Sequence, residues 1–113
     1  MEKIIKYQSI VKNILDELFP LFQSEDGTDA QLIIDEKRGH YLVYEVGWIG
    51  SDWIYNSYIH IDIKPDGKVW LQHDGTDLRI AQELIDKGIP KSDIVIGFQS
   101  PFARARMDGF AVA

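Results

Sequence analysis
The stretch His60 to Asp77, HIDIKPDGKVWLQHDGTD, sets two histidines and four aspartates within eighteen residues. Imidazoles beside carboxylates are the pairing that moves protons near neutral pH or ligates transition metals. Either chemistry requires the side chains to converge, and convergence is decided by the elements that carry them. Pro65-Asp66-Gly67 has the composition of a three-residue hairpin loop, with Pro at the first central position, Asp at the second and Gly at the left-handed one. That loop pairs Lys64 with Lys68, Ile63 with Val69, Ile61 with Leu71 and Ile59 with His73. It puts Ile59, Ile61, Ile63, Val69 and Leu71 on one face, whereas a slip by one residue scatters them. On this register His60 and Asp62 face away from the isoleucines, beside Trp70, Gln72 and Asp74, and His73 faces the other way. His60, Asp62 and Asp74 are then the only trio for a metal. The first two lie about 7 Å apart along their strand, long for joint ligation. The expectation is no catalytic residue, no metal and no cofactor, and a polar, partly aromatic second sheet face.

The elements around this hairpin read as α+β in a single domain, residues 1–113. Ile4, Tyr7, Val11, Ile14, Leu15, Leu18 and Phe22 recur at helical steps, predicting an amphipathic helix over 3–22 with Pro20 disturbing its last turn. Ser24 to Asp29, SEDGTD, is a polar loop. An antiparallel meander of about four strands follows: AQLIIDE, HYLVYEVGW, WIYNSYIHIDIK and KVWLQH, rich in β-branched and aromatic residues and joined by short turns. A second helix is expected over Thr76–Lys87, with acidic capping residues ahead of it and Gly88 after it. DIVIGF reads as a short fifth strand. The extended tail from Gln99 has no clear period, but Phe102, Phe110 and Val112 predict that it lies on the domain.

Composition narrows the partners. Acidic residues outnumber Lys plus Arg by 18 to 12, giving a net charge of −6. Nucleic-acid binding draws on phosphate neutralisation by basic residues, so tight DNA binding by this chain alone is not expected. A protein partner, basic for preference, is easier to accommodate. There is no cysteine, which removes disulfides and thiolate chemistry. The N-terminal MEKIIKYQSIVKNIL mixes charge into its apolar residues, so neither a signal peptide nor a membrane span is expected, and the cytoplasm is the expected location.

Trp48, Trp53, Tyr55, Tyr58 and Trp70 concentrate aromatic area in the sheet, as core packing or as a partner-binding face. On the register above, Tyr58 and Trp70 share the face of His60, Asp62 and Gln72, and these five are the candidate partner-binding residues. Arg104 and Arg106 join them, since paired guanidinium groups can clamp a carboxylate or phosphate. GWIG (Gly47 to Gly50) follows a strand and carries no basic residue, unlike the nucleic-acid loops it superficially matches. No Walker loop, dinucleotide fingerprint, zinc-protease motif or nucleophile elbow occurs.

Three stretches carry a family resemblance: VGWIGSDWIYNSYIHIDIKPDGKVWLQHDGTD, IAQELIDKGIPKSDIVIGFQSP and the terminal FAVA. With HIDIK, DGT and GIPKSDIV clustered in them, the chain resembles, over nearly its whole length, the XisI family of cyanobacterial proteins, named as controlling factors for excision of the fdxN element. The resemblance implies a non-enzymatic accessory role in site-specific recombination, exercised through a XisH-like protein partner of nuclease-like fold. It supplies no catalytic residue. Self-association into a homodimer is left open. The alternatives are an antitoxin-like inhibitor of a nuclease-like partner, a metal-dependent hydrolase centred on His60 and Asp62, and a direct DNA-binding accessory using Arg104 and Arg106.

Overall fold
The computed structural model describes residues 2–23 and 27–113. Its first element, α1 (Glu2–Leu18), buries Tyr7, Val11, Ile14 and Leu15 along one side, the spacing that stacks side chains on one helical face. The apolar stripe runs on to Phe22, but the α-helix ends before Pro20 and Phe19–Phe22 form a 3-10 turn. Proline has no N–H to give and its ring crowds the preceding turn. Of the expected loop at 24–29, residues 24–26 lie outside the described residues, and Thr28 and Asp29 already belong to the first strand.

Strands β1 (Thr28–Asp35), β2 (His40–Ile49), β3 (Asp52–Ile63) and β4 (Val69–Asp74) form the antiparallel meander. β5 (Ile94–Ile96) adds beside β4 in parallel, so the sheet has five strands in sequence order. A parallel neighbour demands a long crossover, and α2 (Ile80–Asp86) provides it. α2 begins four residues later than its sequence suggests, because the Asp74 carboxylate holds the approach as a tight loop. One oxygen accepts from the Thr76 N–H at 2.9 Å and the Thr76 hydroxyl at 2.6 Å, the other from the Ile80 N–H at 3.2 Å.

The helices cover one face of the sheet. Tyr41, Val43, Ile59, Ile61, Ile63, Val69, Leu71, Ile94 and Ile96 meet Val11, Leu15, Ile80 and Leu84 in a single cluster. Each such aliphatic side chain, fully withdrawn from water, contributes about 1.5–3 kcal/mol before entropy is counted. The tail does lie on the domain. It holds a short helix, α3 (Pro101–Arg104), whose cap is Ser100, the hydroxyl oxygen accepting from the Ala103 N–H at 3.1 Å. Met107 and Phe110 pack on the core, and Ala111 bridges to Val95 at the edge of β5.

Two register shifts decide which residues share the second face. The β2–β3 turn is closed by Gly50-Ser51, with Ile49 opposite Asp52, and Gly50 has φ +60; glycine first in a two-residue turn suits the type II′ hairpin. Carried down the strands, that turn would set Tyr41 and Val43 against residues of the wrong face. Tyr58 is inserted as an extra residue, and the pairing resumes with Val43 opposite Ile59 and His40 opposite Asp62. In β3–β4 the expected pairs Ile63–Val69 and Ile61–Leu71 are present, and the loop closes with the Lys64 N–H on the Lys68 carbonyl. Beyond them Gln72 is the extra residue, so His73 faces His60 and Ile59 faces Asp74. The expected Ile59–His73 pair, and with it the placing of His73 on the opposite side from His60, is therefore corrected. A bulge adds one residue to one strand and reverses the alternation beyond it.

Candidate functional site
The second face of the sheet carries a three-residue constellation centred on Asp62. The side chain of Asp62 is 10% exposed, and its Oδ1 lies 2.7 Å from His40 Nδ1 and 2.9 Å from His60 Nε2. Its Oδ2 accepts from Gln72 Nε2 at 3.2 Å. Burial alone would raise the Asp62 pKa, but the hydrogen bonds from His40, His60 and Gln72 outweigh it and hold the carboxyl below its ordinary range. An ionised carboxylate gripped by several donors is stabilised in its charged form. His40 and His60 are 47% and 33% exposed along their side chains, so the carboxylate forms the floor and the imidazoles the open walls.

Each member is delivered by a backbone device. Gly39 closes the β1–β2 turn at φ +78, its N–H donating to the Asp35 carbonyl and its carbonyl accepting from the Ile63 N–H, both at 2.8 Å. This clamps the start of β2 against the end of β3 and sets His40 beside Asp62. The insertion at Tyr58 fixes the same pairing from the other end. The insertion at Gln72 lets that amide reach back to Asp62.

Sequence reasoning missed His40. Its place depends on the β2–β3 register, which the β3–β4 hairpin alone does not set. The available signal was the demand that Tyr41 and Val43 face Ile61 and Ile59, which brings His40 opposite Asp62. Along β3, His60 and Asp62 stand where expected, yet their rings and carboxylate meet, because the imidazole bends along the strand. Asp74, the third member of the expected trio, is occupied at the start of α2. His73 is exposed and stands outside the converging group.

The remaining candidates separate. Tyr58 does not share the face of Trp70; as the inserted residue it turns to the helix side, stacks on Phe22 at 4.7 Å and donates to Glu45 Oε2 at 2.8 Å. Burial, the Glu45 hydrogen bond and the Glu45 charge push its phenol up to about 12. Trp70 is on the second face, with the Arg104 guanidinium 5.1 Å and the Lys64 ammonium 5.7 Å from its ring centre. The tail thus covers Trp70 from within the chain, a cation–π contact. Arg106 lies over the Phe102 ring at 3.6 Å and donates to the Phe102 carbonyl at 3.1 Å. The two arginines engage different rings and form no common clamp.

A family model described as XisI protein matches residues 1–112. The chain belongs to the XisI family. Among solved structures similar to this XisI-family chain, a XisI-like protein from Anabaena variabilis is 44% identical, with a TM-score of 0.91 over 97% of this chain and 99% of that one. The fdxN element excision controlling factor XisI from Anabaena variabilis is 34% identical, with a TM-score of 0.87 over 98% and 99%. The comparison with curated proteins gave no match. Among the described residues no helix is long and apolar enough to cross a membrane.

Proposed function
We propose that this XisI-family chain is a non-enzymatic accessory factor that binds a protein partner in the excision of a DNA element, the process named for its relative of 34% identity. The observation that carries the reading is the far end of the β2–β3 hairpin. Trp48, Trp53 and Tyr55 are 58%, 55% and 70% exposed there, and the two indoles pack on each other, with ring centres 5.3 Å apart. Aromatic anchors of this kind dominate the energetics of interfaces, and a clustered apolar patch at a surface marks a docking site. A net charge of −6 favours a basic partner through complementary fields. A nuclease-like, XisH-like protein carrying a positive DNA channel fits that chemistry. The part-exposed His60 and Gln72 and the exposed Arg106 extend the contact with polar groups above the buried Asp62, while Trp70 and Arg104 hold the tail and Tyr58 serves the core.

The test is binding of the purified chain to the XisH-like protein by calorimetry, with and without Trp48→Ala and Trp53→Ala. Each substitution is expected to cost about 2 kcal/mol, roughly a thirtyfold loss in affinity. No complex at micromolar concentration refutes the reading. Growth arrest by the partner alone, relieved by this chain, would replace it with inhibition of a nuclease.

A further inference from the structure
We propose that His40, His60 and Asp62 form a binding site for one divalent transition-metal ion of the zinc class. This goes beyond the partner-binding reading; the two share His60, Asp62 and Gln72, but metal binding is tested on the chain without a partner. One ligand atom from each of the three residues lies within 4.8 Å of the other two, and among the described residues no other group of histidine and acidic side chains converges in this way. A tetrahedral ion about 2.0–2.1 Å from its ligands spreads neighbouring donor atoms to about 3.4 Å. The His40–Asp62 and His60–Asp62 contacts of 2.7 and 2.9 Å need open by about 0.7 and about 0.5 Å to admit it. Both imidazoles are partly exposed, whereas the carboxylate is buried and held by Gln72.

The donor set selects the metal class. Two imidazole nitrogens and one carboxylate oxygen suit zinc, nickel, cobalt or ferrous iron, while calcium and magnesium require oxygen ligands. Three protein ligands leave at least one position, and it lies on the solvent side, where water completes the shell. Outer-shell support is already in place. Gln72 donates to Asp62 Oδ2 and leaves Oδ1 to the ion, the arrangement that orients ligating carboxylates in metal sites. Ligands and support come from three adjacent strands, β2, β3 and β4, which are rigid mounts compared with loops. Without an ion the same atoms make a hydrogen-bonded trio, so the experiment must detect the metal itself.

The chain has no cysteine and three histidines, which makes the assignment decidable. Metal-stripped full-length protein is titrated with zinc chloride near neutral pH by calorimetry, with imidazole nitrogen NMR on the same samples. The expected result is one ion per chain, with Nδ1 of His40 and Nε2 of His60 perturbed. His40→Gln and His60→Gln should each abolish this binding while retaining the native circular dichroism. His73→Gln should leave it intact. Gln72→Leu should weaken it by about ten- to a hundredfold. Absence of a stoichiometric ion, binding that survives both His40→Gln and His60→Gln, or perturbation confined to His73 would each overturn the proposal.

Discussion

Replacing Gly39 with alanine tests the device that presents His40 to Asp62. At φ +78 an L side chain costs about 1–2 kcal/mol relative to glycine. The added Cβ would also collide with the Ile63 carbonyl oxygen, and that is backbone of a paired strand with no flexible end to yield. Relief requires parting β2 from β3, which sacrifices the Ile63 N–H to Gly39 carbonyl bond of 2.8 Å, worth about 1 kcal/mol. Alanine stiffens the unfolded chain and returns about 0.4–1 kcal/mol. The net expectation is a loss of about 2 kcal/mol, or roughly 8–12 °C in Tm for a domain of this size. Gly50 supplies the control. It too has positive φ, but a Cβ there meets nothing within 4 Å among the described residues, so Gly50→Ala should cost only about 0.5–1 kcal/mol. Thermal and urea unfolding by far-ultraviolet circular dichroism measures both. Equal losses for the two variants, or a neutral Gly39→Ala, would refute the close approach as the reason for glycine at 39. The His40 imidazole resonances should report a loosened contact with Asp62 in Gly39→Ala and an unchanged one in Gly50→Ala.

Burial first, then nearby carboxylates, pushes Tyr7, Tyr41 and Tyr58 from 10.0 up to about 12. The fold therefore favours their protonated forms; the stability this adds is intact below pH 10 and lost as pH rises through about 12, which urea midpoints and phenolate absorbance measured together should show. The Tyr41 hydroxyl is buried with no partner among the described residues, so Tyr41→Phe is expected to raise stability by about 1 kcal/mol in urea unfolding. Burial would raise the Asp93 pKa, but hydrogen bonds from Tyr7 and Lys3 and the charges of Lys3 and Lys68 hold it below 3.8. Its contribution is present above pH 3.8 and lost as pH falls through the lower folded value, and Tyr7→Phe should move that acid limb of the urea midpoint curve to higher pH. Arg104→Ala removes the guanidinium from Trp70 and should cost about 1 kcal/mol, with faster protease cleavage in the tail as the direct measurement.

The fold was legible wherever one local pattern dictated one outcome. The PDG loop fixed its own closure, and alternation in β3 fixed Ile61 and Ile63 as core residues. α2 was less legible because its start is set by a single carboxylate: Asp74 holds Thr76 and Ile80 in a loop where residue propensities allow a helix. The site was hidden for a different reason. His40 and Asp62 are twenty-two positions apart, and their meeting depends on an extra residue at Tyr58. A bulge leaves no mark in composition; it emerges only when the turn at Gly50-Ser51 and the burial of Tyr41 and Val43 are imposed together. The same inserted residue explains why Tyr58, outward by simple alternation, stacks on Phe22.

The parallel seating of β5 has a consequence for how the molecule is made. Each strand of the meander meets a neighbour already synthesised, through short connections that close quickly. α1 comes first and finds β2 and β3 to pack on before β5 exists, but the core that Ile80, Leu84 and Ile89 share with the sheet is finished only when Ile94 and Ile96 pair with Val69 and Leu71. A chain halted before that point leaves β4 as an open edge, with Val69 and Leu71 paired on one side only, so closure of the core waits on β5.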